Sequence, residues 1–328
     1  SLLETNKSTF SYDINDSVTI EVKNTAGNYV YLFGGFITDL SVTVATSSAT
    51  VITQRINIIA VGALARLARA VYTGNLASDQ DGDQIYELLS GVLFDSWNEV
   101  PAATTWAAYD ATTTWANAEN SGLGEIDRPG DYDLDSRTNL NDTVYNLASG
   151  LATSGLGYLY EDAQGRIGYA DSTHRSEYLA ANGYVDLSAN DAIGPNLAIQ
   201  KKAGDVRNAI TIAYGSAGNS TVSASDATSI ATYGSLASTI TTTLKNQTDA
   251  QSQADFYLPM GNPDIDDSDR NALLNVFMGM PINLSNLPTN MDGGSFQGFV
   301  EGWTWTASMN RLDLSLIVSP VAYSLQAF

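Results

Sequence analysis

The stretch Gly155–Arg175, GLGYLYEDAQGRIGYADSTHR, decides how the rest of the chain is read. Two short runs of tyrosine with leucine or isoleucine flank Asp162-Ala163-Gln164-Gly165, which is the turn chemistry of a β-hairpin. Directly upstream, Val144, Leu147 and Leu151 recur at helical spacing, with Asn141 placed to cap the segment and Gly155 to end it. The pattern predicts a helix followed at once by a hairpin. Tyr158 and Tyr160 with Ile167 and Tyr169, or their alternates, would form one strand face packed over Leu147 and Leu151.

Working outward, the N-terminal segment is written in strands. SVTIEVKN alternates so that Val18, Ile20 and Val22 share a face, and Ala26-Gly27-Asn28 turns the chain. YVYLFGGFITDLSVTVA and TVITQRINIIAV follow as β-branched runs, with Gly34-Gly35 expected to mark a bulge or sharp bend. The period then changes: Leu64, Leu67, Ala68 and Val71 predict a helix, and Ile85, Leu88, Leu89 and Val92 another, capped by Ser78 or Asp79. The tract PAATTWAAYDATTTWANAENSG, residues 101–122, is rich in Thr, Ala and Trp and reads as an irregular insertion. Beyond the hairpin the chain returns to strands. In VRNAITIAYG, Ile210, Ile212 and Tyr214 face away from Ala209, Thr211 and Ala213. Helical spacing resumes from Asn246 to Tyr257, and NPDIDDSDRNALLNVFMGMP carries acids at a helix start. FQGFVEGWTWTASM and LDLSLIVSP then form a closing hairpin about Asn310-Arg311, with Trp303 and Trp305 opposite Thr304 and Thr306.

Length and charge narrow the function classes. The 328 residues are enough for two or three domains, and 36 acids against 15 bases give a net charge of −21, which repels nucleic acid and anionic lipid. The charge is uneven. Residues 1–77 balance five acids with five bases, whereas residues 78–142 hold fourteen acids against Arg128 and Arg137 alone. Without cysteine there is no disulfide, thiolate nucleophile or zinc-thiolate site. No apolar run is long enough to span a bilayer as a helix, and no basic segment precedes an apolar leader, so no membrane association is expected.

Candidate chemistry is sparse. His174 is the only histidine, and a Ser-His-Asp arrangement would require it with Asp171 and Ser172 or Ser176; no Gly-x-Ser-x-Gly elbow exists, so His174 reads as a solvated loop residue. Asp79, Asp81 and Asp83 alternate like the first half of a calcium loop, but the glycine falls too early, with Gln84 in the sixth position, and Ser90 stands where a bidentate glutamate belongs. Asp131, Asp133 and Asp135, with Asp142 in the twelfth position, lack the glycine altogether. Both read as acidic turns. Gly155-x-Gly157 precedes a strand and lacks a third glycine, so it is no dinucleotide loop. No pair of carboxylates stands out for glycoside hydrolysis. No cofactor, metal or catalytic residue is expected.

The succession LFGGFITDLSV, INIIAVGALARLAR, LASGLATSGLGYLYEDAQGRIGYADSTHR, GDVRNAITIAYG, TSIATYGSLA, QSQADFYL and FVEGWTWTASMNRLDLSLIVSP resembles the minor tail proteins that form the tail-tip or baseplate hub of long-tailed bacteriophages. The resemblance spans nearly the whole chain. It implies an α+β, mainly β protein with two tail-tube-like antiparallel β-barrels and inserted α/β and helical segments. Residues 1–60 would be the first barrel and 61–185 an acidic α/β insertion. Residues 186–244 would begin the second barrel, 245–283 would be helical, and 284–328 would close that barrel. It also implies a non-enzymatic homotrimer at the virion tail tip. Its partners would be a tail-tube or distal tail protein, a tape-measure protein and tail-tip or fibre proteins, with DNA only in transit. On that analogy Asp13, Asp16, Glu21, Asp39, Asp205, Glu301 and Asp313 are candidate acids facing the channel, as opposed to a lumen lined by Arg55, Lys201, Lys202 and Arg207. Ile212 and Leu316 are candidate barrel-interface residues.

The alternative is an extracellular glycan-binding, adhesin-type or depolymerising module, prompted by Trp97, Trp106 and Trp115 beside acids. A spacing of nine turns successive tryptophans to opposite sides of a strand or a helix, which does not make one sugar platform.

Overall fold

The computed structural model describes residues 2–5, 12–47, 52–96, 123–188, 207–216, 218–258, 276–287, 294–308 and 311–320. An N-terminal sheet comes first, built from β1 (Leu2–Thr5), β2 (Ser17–Lys23), β3 (Tyr29–Ser47) and β4 (Ile52–Val61) in the order β1-β4-β3-β2, all antiparallel. Its bulges fall at Ile20/Glu21, Ile37/Asp39 and Val44/Thr46, not at the glycine pair. Ladder pairing runs straight through Gly34 and Gly35. The first of these glycines has another reason to exist: a Cβ on Gly34 would sit 2.2 Å from the backbone oxygen of Gln164, at the tip of the hairpin quoted above.

The middle of the chain contains α1 (Leu64–Leu67), β5 (Val71–Leu76), β6 (Asp79–Gln80), α2 (Asp81–Ser96), β7 (Leu123–Ile126), β8 (Asp133–Leu134), β9 (Arg137–Thr143), α3 (Val144–Ser154), β10 (Tyr158–Glu161), β11 (Ile167–Ala170) and α4 (His174–Asn182). The helix expected over Leu64–Val71 is a single turn, because Val71 enters β5 and pairs with Thr143 of β9. At α3 the cap is Thr143 and not Asn141: Thr143 Oγ1 accepts from Asn146 N, while Asn141 lies in the ladder opposite Thr73. Neither Ser78 nor Asp79 caps α2. Ser78 Oγ donates to Leu134 O and Asp79 is paired in β6.

The helix and hairpin form as predicted, but the faces divide differently. The β10–β11 register opposes Leu159 to Tyr169 and Glu161 to Ile167 on one side, Tyr158 to Ala170 and Tyr160 to Gly168 on the other. Ile167 and Tyr169 join Leu147 and Leu151 in the main core, whereas Tyr158 and Tyr160 pack with Ala170 against Met278. The hairpin is therefore buried on both sides. β11 also pairs in parallel with β7, which gives the sheet order β10-β11-β7.

The remaining elements are β12 (Val185–Ser188), β13 (Ala209–Tyr214), β14 (Ser220–Ser225), α5 (Ala227–Tyr233), β15 (Ala237–Thr241), α6 (Gln247–Tyr257), β16 (Pro281–Ser285), β17 (Phe296–Ser308) and β18 (Arg311–Pro320). Asn246 caps α6 by accepting from Asp249 N. The expected second barrel is not a barrel. β14-β13-β15 form one three-stranded sheet whose Ile210, Ile212 and Val222 share the main core with α2, α3 and α6, while β12-β16-β17-β18 form a separate four-stranded sheet. The first sheet is likewise open. Among the described residues no sheet closes into a barrel. Alternation along a strand reports which residues share a face; it carries no information about which edges meet, so closure was beyond the sequence pattern. The chain is α+β and mainly β.

In the C-terminal sheet, Trp303 opposes Leu316 and Trp305 opposes Leu314, and all four pack on the cluster of Val276, Met280, Ile282 and Val300. Thr304 and Thr306 face the other way, as the alternation predicts. Residues 259–275, which hold most of the acid-led helical pattern, and residues 97–122, with Trp97, Trp106 and Trp115, lie outside the described residues.

Candidate functional site

Three parts of the fold meet at the N-terminal turn of α4. Asp171 Oδ1 accepts from Thr173 N at 3.0 Å, Thr173 Oγ1 at 3.1 Å and His174 N at 3.0 Å, an Asx-type arrangement that starts the helix. Its own N–H donates to Asp127 Oδ2 at 3.1 Å, and His174 Nδ1 lies 2.7 Å from the same oxygen. Ser172 Oγ donates to Asp131 Oδ2 at 2.6 Å. One residue further, Arg175 makes a bidentate pair with Glu301 of β17 (2.7 and 3.0 Å) and lies over the Tyr158 ring at 4.3 Å. The sequence ADSTHR thus ties the β7–β11 sheet on one side to the C-terminal sheet on the other.

His174 is accordingly not a solvated loop residue. Its side chain keeps 15% exposure and its Asp127 partner 1%. Sequence reasoning missed this because Asp127 is 47 residues away and only the parallel β7–β11 pairing brings it alongside. Burial, then the charges of Asp127 and Asp131, push the Asp171 carboxyl up to about 7. Asp81, fully buried, accepts from Tyr169 Oη at 2.5 Å and Tyr132 N at 2.7 Å, and burial raises it to about 6.

The calcium-like alternations resolve into different tasks. Asp81 is a core hydrogen-bond acceptor, Asp83 pairs with Arg128, and Asp131 receives Ser172. Among the described residues no three His, Asp or Glu side chains are arranged to hold a metal ion. The hydroxyl of Ser172 is engaged by the Asp131 carboxylate.

Of the acids proposed for a channel wall, Asp13 and Asp16 form the exposed turn before β2, with Asp13 N donating to Asp16 Oδ2 at 2.7 Å. Asn15 and Asp16 bond to Ile37, which sets that turn two residues from the exposed Asp39 on β3. Glu21 is exposed on β2 opposite Tyr31. Glu301 is committed to Arg175 and to Ser319 Oγ, and Asp313 is half-buried opposite Thr306. Asp205, Lys201 and Lys202 lie outside the described residues, as does the Arg55 side chain; Arg207 is exposed. Ile212 is fully buried inside the chain, and Leu316 packs on the Val276–Val300 cluster. The N-terminal sheet, in contrast, leaves large apolar side chains in solvent: Ile20, Tyr29, Tyr31, Val42 and Ile59 are 38–64% exposed.

The fold is one that tail proteins adopt. The chain superposes on the tail protein from Neisseria meningitidis MC58 with a TM-score of 0.53 and 13% sequence identity, covering 91% of this chain and 82% of that one. It is similar also to the 43 kDa tail protein of prophage MuSo2 from Shewanella oneidensis, with a TM-score of 0.56 and 9% identity over 99% of this chain and 90% of that one. No family model matches the chain, and no curated protein matches it in sequence.

Proposed function

We propose that the chain is a structural, non-enzymatic protein of a phage tail, acting at the tail tip as a trimeric hub. Three copies form a ring that continues the tube, through which DNA passes without being held. The same ring anchors a distal tail or tube protein, the tape-measure protein and tip or fibre proteins. The observation that carries this reading is the shared fold with a prophage tail protein over 99% of the chain. Two features support it. A net charge of −21 repels the DNA backbone, where a holding surface would be basic. The apolar side chains left exposed on the N-terminal sheet are what a subunit interface would cover.

Mass measurement with low-resolution imaging tests the reading. The expected result is a ring of three that Ile59→Asp dissociates into folded subunits, because Ile59 is already half in solvent in the single chain. A lone elongated monomer, or cleavage of a host polysaccharide abolished by a single carboxylate substitution, would overturn it in favour of an adhesin or depolymerase.

A further inference from the structure

The N-terminal sheet does not share a core with the elements that follow it. Its buried apolar residues are Leu32, Phe36, Ile37 and Ile56, and among the described residues none of them belongs to the apolar clusters that hold the remaining elements together. Ala63 and Leu67 do lie in the main cluster. The boundary therefore falls at Gly62, between the end of β4 at Val61 and the turn that opens α1.

The contacts at that boundary are of three kinds. The β10–β11 tip meets β3 backbone to backbone: a Cβ on Gly34 would crowd Gln164 O, and one on Gly165 would sit 2.6 Å from Gly34 O. Arg66 of α1 lies over the Phe36 ring, 4.0 Å from its centroid, a contact that tolerates sliding. Glu161, at the end of β10, supplies direction. Its Oε1 accepts from Leu64 N, the first N–H of α1, for which Ala63 offers no side-chain cap. Gly62 makes the room, because a Cβ there would overlap the Glu161 carboxylate.

We propose that Gly62–Leu64 is a swivel on which the N-terminal sheet turns as one rigid unit, and that Glu161 is the pin that sets its angle. A shared core would forbid such a turn, since interdigitated side chains have to be pulled apart together. Here the sheet keeps its ladders as it moves, and only the corner contacts change, which is the requirement for a hinge. With the carboxylate engaged, the opening turn of α1 is fixed to the hairpin; without it, Leu64 N is left to water and the corner is released. The swivel concerns the joint between two parts of one chain and stands apart from the tail reading. In an assembly it would bring the exposed Ile20, Tyr29, Tyr31, Val42 and Ile59 onto a partner without disturbing the main core.

The absence of cysteine makes the test direct, because two introduced cysteines carry the only spin labels. Ser41→Cys on β3 and Ala181→Cys on α4, both exposed, report the angle of the sheet in the full chain, diluted in unlabelled chain so that distances within one copy are read. The expected result is one narrow distance that Glu161→Ala broadens or splits, while hydrogen exchange inside β2–β4 stays as in the unsubstituted protein. The turned population should rise roughly 10- to 100-fold, the worth of one hydrogen bond to a charged group. Gly62→Ala should do the same by displacing the carboxylate, and should add nothing when combined with Glu161→Ala, since both remove one interaction. Should Glu161→Ala not fold, Glu161→Gln, which keeps an acceptor without the charge, is read for a smaller shift of the same kind. An unchanged distance in the folded Glu161 variant, or a broadening accompanied by lost protection inside β2–β4, overturns the proposal.

Discussion

Replacing Gly34 by alanine tests why the hairpin is where it is. The added Cβ would lie 2.2 Å from Gln164 O, 2.3 Å from Gln164 C and 2.7 Å from Gly165 N, all backbone atoms that no rotamer change can move. Carbon and oxygen in ordinary contact stay well over 3 Å apart, so the β10–β11 tip and β3 must separate by about 1 Å. The hairpin cannot yield cheaply, because its other end is held by Tyr169 in the core and Gly165 has a φ of +81° that fixes the turn. Overpacking of this kind costs about 1–3 kcal/mol. At about 2–4 °C per kcal/mol for a large domain, the melting temperature should fall by roughly 2–12 °C. The internal control is Gly150 in α3, where a Cβ meets nothing within 4 Å. Gly150→Ala should raise stability by about 1 kcal/mol through helix propensity alone. Calorimetry on both variants, with hydrogen exchange over β3 and β10–β11, reads the outcome. If Gly34→Ala melts with the wild type and exchanges like it at the hairpin tip, the close approach of these two segments is wrong.

Three further substitutions probe a joint and a helix cap. Arg175→Met removes the bidentate partner of Glu301 and the cation over Tyr158; with Arg175 3% and Glu301 23% exposed, the loss should be about 2–4 kcal/mol, somewhat below that of a fully buried pair. Chemical denaturation measures it, and a loss under about 0.5 kcal/mol would show that the pair contributes little to holding the sheets together. Thr143→Ala should cost about 1 kcal/mol by uncapping α3, whereas Asn141→Ala should be close to neutral; the reverse ranking in thermal melts would restore Asn141 as the cap.

The local elements were legible where one physical signal dominated. The closing hairpin was read with its tryptophan face correct, because Trp303 and Trp305 alternate with threonines and nothing competes with that period. The helical spacing from Asn246 to Tyr257 becomes α6, although the capping role of Asn246 is visible only in the structure. Errors arose where a tertiary partner overrode the local pattern. Leu64–Val71 has helical spacing, yet β9 recruits Val71 as a strand. Gly34-Gly35 was read as a bend, although the first glycine leaves room for a hairpin 130 residues further along the chain.

What the sequence determined by itself was the mainly β character, the helix-then-hairpin unit and the acidity, all of which follow from periodicity and composition within a short window. What only the tertiary structure decided was the pairing of strand edges and the company kept by charged groups. Strand alternation is indifferent to which edge lies alongside, so the sheets proved open where closed barrels were expected. Asp127, His174, Arg175 and Glu301 carry no mark of one another in the chain, because a charge selects a partner through distance in space and not through spacing in sequence.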